Sequence, residues 1–303
     1  MHIGPTEILD SHAEAFNARY VRLIVTAADQ YWVEAAAREA TGYAASVVGC
    51  DCEAGIERFL SPNETPDGRP GAALLLFTFK LEQLAHAVAW RVGECVLTCP
   101  TTACFNGLPD AEEVVPLGGD TREFADGFEE KEQGAGGREL GEVRWRLPVW
   151  DGEFVVDAVA GVGRGVAGGN LVLHAKTQAA GLAAAQRAAG AVAQLPNIIM
   201  PFPGGVCRAG SKVGGQTVAH IVASIDEAYC PTLRDQVPTR LVAGAAAAYE
   251  LIFNGVDLAA VEQAMRVASE AAAGEGLLAI GARSFDGRLG KHHIELRGLF
   301  AGK

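Results

Sequence analysis

One periodic pattern occurs twice along the 303 residues, and a duplication on that scale constrains the fold more than any single motif. In the first half, residues 20–27 form an apolar, β-branched run typical of a buried strand. Residues 29–40 then place Trp32, Val33, Ala36, Ala37 and Ala40 on one helical face. Strand character returns over 44–50 and, after the turn-rich loop 61–71, over 72–79. Leu81, Leu84, Ala85, Val88 and Val92 mark a second amphipathic helix, and 95–98 a fourth strand. The second half repeats the order: strand 170–176, helix 178–193, strands 197–202 and 246–253, helix 258–272 and strand 277–282. Both halves spell βαββαβ, the split βαβ arrangement of ferredoxin-like folds. The expected architecture is α+β, with two tandem ferredoxin-like lobes over residues 1–150 and 151–303 and a last strand, 293–299, extending the second sheet. Helix 178–193 has hardly any large side chain, which suits either a packing surface between lobes or subunits or an ordinary Ala-rich surface helix.

Composition narrows the class. With 49% hydrophobic and 20% charged residues the chain can bury large cores, which excludes disorder and coiled coil. The formal charge of -12 argues against duplex nucleic acid, whose affinity comes from neutralised phosphates. That charge is segregated. Residues 107–143 hold eleven acids against Arg122, Lys131 and Arg138, and read as an acidic, Gly-containing excursion of the first lobe. Residues 158–225 hold no acid at all and carry Arg164, Lys176, Arg187, Arg208 and Lys212, so a surface built from them would attract anions. The amino terminus lacks the pattern of a secretory signal, and no apolar run reaches the roughly 18–20 residues of a bilayer span. Seven cysteines without such a signal fit reduced thiols. The expectation is a cytoplasmic protein that binds neither nucleic acid nor membrane.

Several motifs fail on inspection. Gly163-Arg-Gly-Val-Ala-Gly168 matches G-x-G-x-x-G, but a strand follows it and no acid stands about twenty residues on, so a dinucleotide site is rejected. Cys50-x-Cys52, Cys99-x4-Cys104 and His292-His293 lack the paired spacing of structural zinc sites, and no metal is expected. There is no G-x-S-x-G elbow. Pro201-Phe-Pro-Gly-Gly205 is more suggestive, because with Arg208, Ser211 and Lys212 it makes a Gly-rich loop of exposed amides and cations that could cradle an anion; a plain tight turn is the alternative. Glu250 stands out because residues 245–253 are otherwise apolar. Unpaired there, its carboxyl would be desolvated, stay protonated near neutral pH and serve as a donor to a developing oxyanion. The alternative is an edge-strand glutamate that faces solvent or pairs with an arginine.

Around these residues the chain resembles a known family. The matching segments include Glu64-Thr-Pro-Asp-Gly-Arg-Pro-Gly71, Gly165-Val-Ala-Gly-Gly-Asn170, Pro201-Phe-Pro-Gly-Gly205, Ser211-Lys-Val-Gly214, Ala228-Tyr-Cys-Pro-Thr232, Tyr249-Glu250 and Asn254-Gly255. They are similar to those of the formylmethanofuran:tetrahydromethanopterin formyltransferases. The resemblance implies two ferredoxin-like lobes, a homotetramer, and formyl transfer between N5 of tetrahydromethanopterin and the amine of methanofuran. Both carriers are then co-substrates, and no tightly bound cofactor is implied. The family's catalytic carboxylic acid falls on Glu250. The candidate substrate-binding residues are Phe202, Gly204, Gly205, Arg208, Ser211, Lys212, Tyr229, Tyr249 and Asn254, of which Arg208 and Lys212 would hold anionic tails and Phe202 and Tyr249 would either pack on a pterin or furan ring or belong simply to the core. Arg164 and Lys176 are weaker candidates for the anionic tails of the carriers. Composition looks like the bacterial branch, whose members resemble the transferase subunit of a formyltransferase/hydrolase complex acting in formaldehyde oxidation. Glu227, where the archaeal pattern has Asp, and the cysteines of 95–104 depart from that pattern. A catalytically silent scaffold or small-molecule sensing subunit is the competing expectation.

Overall fold

The first βαββαβ unit opens with a strand and a capped helix that local sequence signals encode. In the computed structural model, which describes residues 1–133, 143–208, 210–284 and 290–301, strand β1 (His12–Thr26) leads to helix α1 (Gln30–Thr41). Asp29 starts this helix by accepting the Trp32 amide at 3.2 Å, and Val33, Ala36, Ala37 and Ala40 form its buried face. Strands β2 (Glu53–Leu60) and β3 (Gly71–Thr78), helix α2 (Leu81–Arg91) and strand β4 (Ala103–Asn106) complete the set. The strands pair in the order β2-β3-β1-β4, every pair antiparallel. Leu74, Leu76, Val21, Leu23 and Val25 pack with Val33, Leu84 and Val88 of the helices.

Two strands of this unit lie elsewhere than the sequence pattern predicts. Residues 44–50 form turns, opened by Tyr43 at φ 48° and closed by the Cys50 amide on Ser46 O at 2.8 Å. The strand is Glu53–Leu60, and its charges conceal it: Glu57 is 4% exposed and takes Arg22 Nε at 2.7 Å and Nη2 at 2.9 Å. Residues 95–98 are no strand either, because the buried stripe of α2 runs on through Val92 and Val96 in a π-turn that Leu97 N closes on Val92 O at 2.8 Å. An apolar run at a helix end cannot be told from a strand by periodicity alone.

The second unit repeats the plan with β5 (Val159–Ala175), α3 (Gln178–Val192), β6 (Ile198–Ile199), then β7 (Ser211–Val213) and β8 (Ala223–Ile225) of an inserted hairpin. Strand β9 (Ala247–Gly255), helix α4 (Leu258–Ala272) and strand β10 (Leu277–Gly281) follow. The order is β6-β9-β5-β10, again antiparallel throughout. Thr177 and Asp257 cap the helices by accepting Ala180 N and Ala260 N. Leu171, Leu173, Leu251 and Phe253 pack on Val261, Met265 and the small residues of α3. Each buried side chain of this size contributes about 1.5–3 kcal/mol, so a one-residue slip that turned this face outward is strongly disfavoured. By strand alternation Val172, His174, Ala248 and Glu250 lie on the opposite face.

Gly163 and Gly168 fall inside β5, not before a helix; a Cβ on Gly163 would lie 2.4 Å from the Tyr20 ring, and Gly168 sits at a bulge between Val166 and Gly169. The expected strand 197–202 is cut to Ile198–Ile199, and 293–299 divides into strand His292–Glu295, paired with residues 12–15, and the turn Arg297–Phe300. By contact, Ala18–Gly165 form one compact unit and Met1–Asn17 with Val166–Lys303 the other. The acidic segment is structured in part, with strands Glu113–Pro116 and Glu130–Gln133 and helix Gly119–Glu123; Gly134, Gly136, Gly137, Arg138, Glu139 and Glu142 lie outside the described residues. Among the described residues no helix is long and apolar enough to cross a membrane.

Candidate active site

The long insertion between β6 and β9 makes the site. It leaves the sheet edge after Ile199 and rejoins it at Cys207, whose backbone exchanges two hydrogen bonds with Glu250, at 2.8 and 3.0 Å. The β7–β8 hairpin then delivers Asp226, whose amide donates to Gly210 O at 2.8 Å. Asp226 also opens a short 3-10 turn, Glu227–Tyr229, accepting Ala228 N at 3.3 Å. These contacts place Glu250, Asp226, Tyr229, Arg208 and Gly210 around one pocket.

Its center is an arginine just beyond β10. Arg283 is 8% exposed and donates from Nη1 to Glu250 Oε1 at 2.9 Å and from Nη2 to Asp226 Oδ2 at 2.8 Å. Its backbone is fixed by Asn170, which accepts Arg283 N at 2.7 Å and donates Nδ2 to Arg283 O at 3.0 Å. The guanidinium lies over the Tyr229 ring, 5.7 Å from its centroid. Gly210 closes over the pair: a Cβ there would lie 2.5 Å from Arg283 Nη1 and 3.1 Å from Glu250 Oε2. Glu250 Oε2 accepts no hydrogen bond among the described residues.

Two carboxyl groups thus share one buried cation. Burial raises the Glu250 carboxyl above the ordinary range; Arg283 offsets part of that shift, and the Asp226 charge adds to it. For Arg283 burial works against the charge, but the two acids prevail and keep it firmly protonated. Burial also raises the Tyr229 hydroxyl and lowers the His174 imidazole to about 4, so His174 is neutral near pH 7. His174 Nδ1 has no hydrogen-bond partner among the described residues, and its ring lies 5.9 Å from that of Tyr229.

The residues singled out from sequence scatter around this center. Glu250, Arg208 and Tyr229 meet at the pocket, and Arg208 is exposed and makes no ion pair among the described residues. Lys212 is held by Glu227, its Nζ 2.5 Å from Oε2. Ser211 begins β7; its side chain lies outside what is described. Tyr249 turns its ring to the helix side, where Gly181 makes room for it: a Cβ on Gly181 would lie 2.8 Å from the ring. Phe202, Gly204 and Gly205 form a tight turn, Gly205 N donating to Phe202 O at 2.7 Å; Gly204 and Gly205 have φ of 62° and 77°, which suit glycine. Asn254 is fully buried and accepts Gly168 N at 2.9 Å, bracing the β5 bulge. Arg164 and Lys176 are exposed.

Glu250 is not unpaired: the alternative, pairing with an arginine, is what the structure shows, with the carboxyl buried. Which arginine it is, Arg283, and the roles of Asp226, Gly210 and His174 the sequence did not disclose. One signal pointed to such a partner, since a glutamate in an apolar strand needs a counter-charge. The described cysteines are free thiols; burial pushes Cys52 up to about 12 and raises Cys104 as well, which makes them poor nucleophiles. Among the described residues no group of three or more His, Cys, Asp or Glu is placed to hold a metal ion.

Comparison with known proteins agrees across the chain. The family model described as formylmethanofuran-tetrahydromethanopterin formyltransferase matches residues 1–149, and that of the family's proximal lobe matches 152–299. The formyltransferases of Methanosarcina acetivorans and Methylococcus capsulatus are each 43% identical, over 99% of this chain and all of theirs. The solved formyltransferase of Methanosarcina barkeri superimposes with a TM-score of 0.92 at 41% identity, covering 99% of this chain and 100% of that one. A chain in the formyltransferase/hydrolase complex of Methylorubrum extorquens, solved with methylofuran, gives 0.90 at 42% identity, covering 96% of both chains. A mixed α+β fold shared end to end at this identity makes the chain a member of the formylmethanofuran:tetrahydromethanopterin formyltransferase family.

Proposed function

We propose that this chain transfers a formyl group between N5 of tetrahydromethanopterin and the amine of a methanofuran-type carrier, with Glu250 as its acid. The observation that carries the role of Glu250 is a buried carboxyl at a pocket with one oxygen tied to Arg283 and the other accepting no hydrogen bond among the described residues. Direct transfer in a ternary complex needs no covalent intermediate. The acceptor amine attacks the formyl carbon, the carbonyl oxygen takes up negative charge, and protonated Glu250 donates through Oε2 to that oxygen. Collapse breaks the donor C–N bond and returns the proton to Glu250, while the proton lost by the acceptor amine ends on the departing nitrogen. Holding both carriers in line supplies much of the acceleration. Both are substrates; neither is a resident cofactor.

Arg208 is the cation best placed for an anionic tail, since it is exposed at the pocket and unpaired among the described residues. Lys212 would join it by exchanging Glu227 for a substrate carboxylate. Tyr229 lines the pocket beside them. The Phe202–Gly205 turn, Ser211, Tyr249 and Asn254 would act by shaping the loops and strand around the pocket. The strand orders support reading both halves as ferredoxin-like lobes, and the junction of the two family models between 149 and 152 supports a division at residues 150 and 151. We assign the chain to the cytoplasm and to a homotetramer that joins hydrolase subunits, working toward formaldehyde oxidation; the Methylorubrum extorquens formyltransferase/hydrolase complex supports the joining to hydrolase subunits. A transfer assay with both carriers, on the purified chain and on the complex, tests the activity. Turnover in neither would leave the silent scaffold.

A further inference from the structure

The pocket holds more acid than its buried cation can neutralise. Arg283 cannot favor Glu250 by swinging toward it, because Asn170 fixes its backbone, Tyr229 lies under its guanidinium and Asp226 holds its second nitrogen at 2.8 Å. Asp226 is fixed in turn by its amide on Gly210 O, and its side chain is 13% exposed. The other groups around Glu250 do not alter the balance from inside. From the insertion, Arg208 is exposed to solvent, Arg240 is exposed and meets the Tyr229 hydroxyl rather than Glu250, Lys212 is neutralised by Glu227, and Tyr229 and Cys230 are uncharged near neutral pH, burial raising both. From β5 come apolar Val172 and neutral His174, and from β9 Ala248. With Glu250 and Asp226 both ionised the buried cluster would carry a net negative charge. With one proton it is neutral, and the proton belongs on the more deeply buried acid, Glu250, at 7% exposure.

We propose that Asp226 is a positioning residue that keeps the proton of formyl transfer on Glu250, by occupying the far side of the Arg283 guanidinium and adding a second negative charge to the same buried cluster. This rests on the reading of Glu250 as the acid. The sign follows from electrostatics. Removing the Asp226 charge both frees Arg283 for Glu250 and removes a like charge, so each effect lowers the pH at which Glu250 ionises. Asp226 touches neither carrier in this scheme; it acts on Glu250 through Arg283 and through its own charge.

The test is the pH profile of kcat/KM for formyl transfer between the two carriers by the full chain, for wild type, Glu250→Gln, Asp226→Asn and Asp226→Glu. It is paired with the infrared carboxylic C=O band that Glu250→Gln removes. Wild-type activity is expected to fall on the alkaline side as Glu250 loses its proton. Asp226→Asn should move both that limb and the infrared band to lower pH by about one unit or more, a tenfold change in proton concentration. Asp226→Glu should restore both. If Asp226→Asn lowers activity by one factor at every pH and leaves the band where it was, Asp226 is merely structural and the proposal is overturned. Should Asp226→Asn not assemble, Asp226→Ser carries the same test, since its hydroxyl can accept from Arg283 without a charge. The reading of Glu250 fails separately, if Glu250→Gln keeps wild-type activity or retains the alkaline limb.

Discussion

Each half of the molecule buries a glutamate against an arginine, and the two pairs are built for different ends. In the first unit both carboxylate oxygens of Glu57 receive a guanidinium N–H of Arg22, at 2.7 and 2.9 Å. That bidentate contact ties β1 to β2. In the second unit Arg283 is divided between Glu250 and Asp226, and Glu250 keeps one oxygen without a hydrogen bond among the described residues. Similar strand order and similar residue types thus give a bidentate pair in one unit and, in the other, a carboxyl that shares its cation at a pocket, the group proposed as the acid. What separates them is the second carboxylate and the insertion that carries it.

The sharpest way to break this comparison is to remove each glutamate. Glu250→Ala should cut kcat by at least about a hundredfold, the scale of a lost oxyanion donor. Glu57→Gln should instead spare turnover and lower stability. Removing one partner of a buried pair costs about 3 kcal/mol, read as a fall in denaturant midpoint, with kcat unchanged. If Glu57→Gln impaired turnover as deeply as Glu250→Ala, the contrast between bidentate pair and acid would be lost.

A third prediction concerns His174, which lies on the Glu250 face of β5. Its imidazole is lowered from 6.5 to about 4 by burial, so the unfolded chain binds this proton more readily than the folded one. The stability it contributes is fully present above pH 6.5 and is lost as pH falls through 4, to a total of about 3 kcal/mol. Urea unfolding between pH 7 and 4 measures it, and His174→Gln should flatten that part of the slope. Smaller effects test the geometry of the pocket. Gly210→Ala places a Cβ against Arg283 Nη1 and Glu250 Oε2 and should lower kcat by about tenfold through displacement of the guanidinium, without affecting the Glu57 pair. Arg208→Glu should raise carrier KM by a few-fold to about tenfold and weaken its dependence on salt, with kcat little changed.

Legibility differed between the units for the same reason that the glutamates differ. In the second unit the strands at 170–176, 246–253 and 277–282 could be read because they are apolar and the helices beside them carry plain stripes and caps, whereas 197–202 shrinks to two residues and the inserted hairpin has no such pattern. In the first unit two strands were misplaced. Glu53–Leu60 hides behind charges that only Arg22 explains, and the apolar run after α2 belongs to a π-turn. Tyr249 shows the limit of adjacency: one residue from Glu250, it points to the opposite face and packs on Gly181.

The sequence by itself determined the duplication, the α+β class, the segregation of charge and the isolation of Glu250 in an apolar strand, because each is a property of neighboring residues or of a repeat period. It also carried the family resemblance. Only the tertiary structure decided what surrounds Glu250. Arg283 lies 33 residues beyond it, and Asp226 is 57 residues from the arginine it shares, at the end of a hairpin whose return to the sheet no local period encodes. A carboxyl group becomes an acid through the charges and the burial around it, and those are set by chain segments that meet only in the fold.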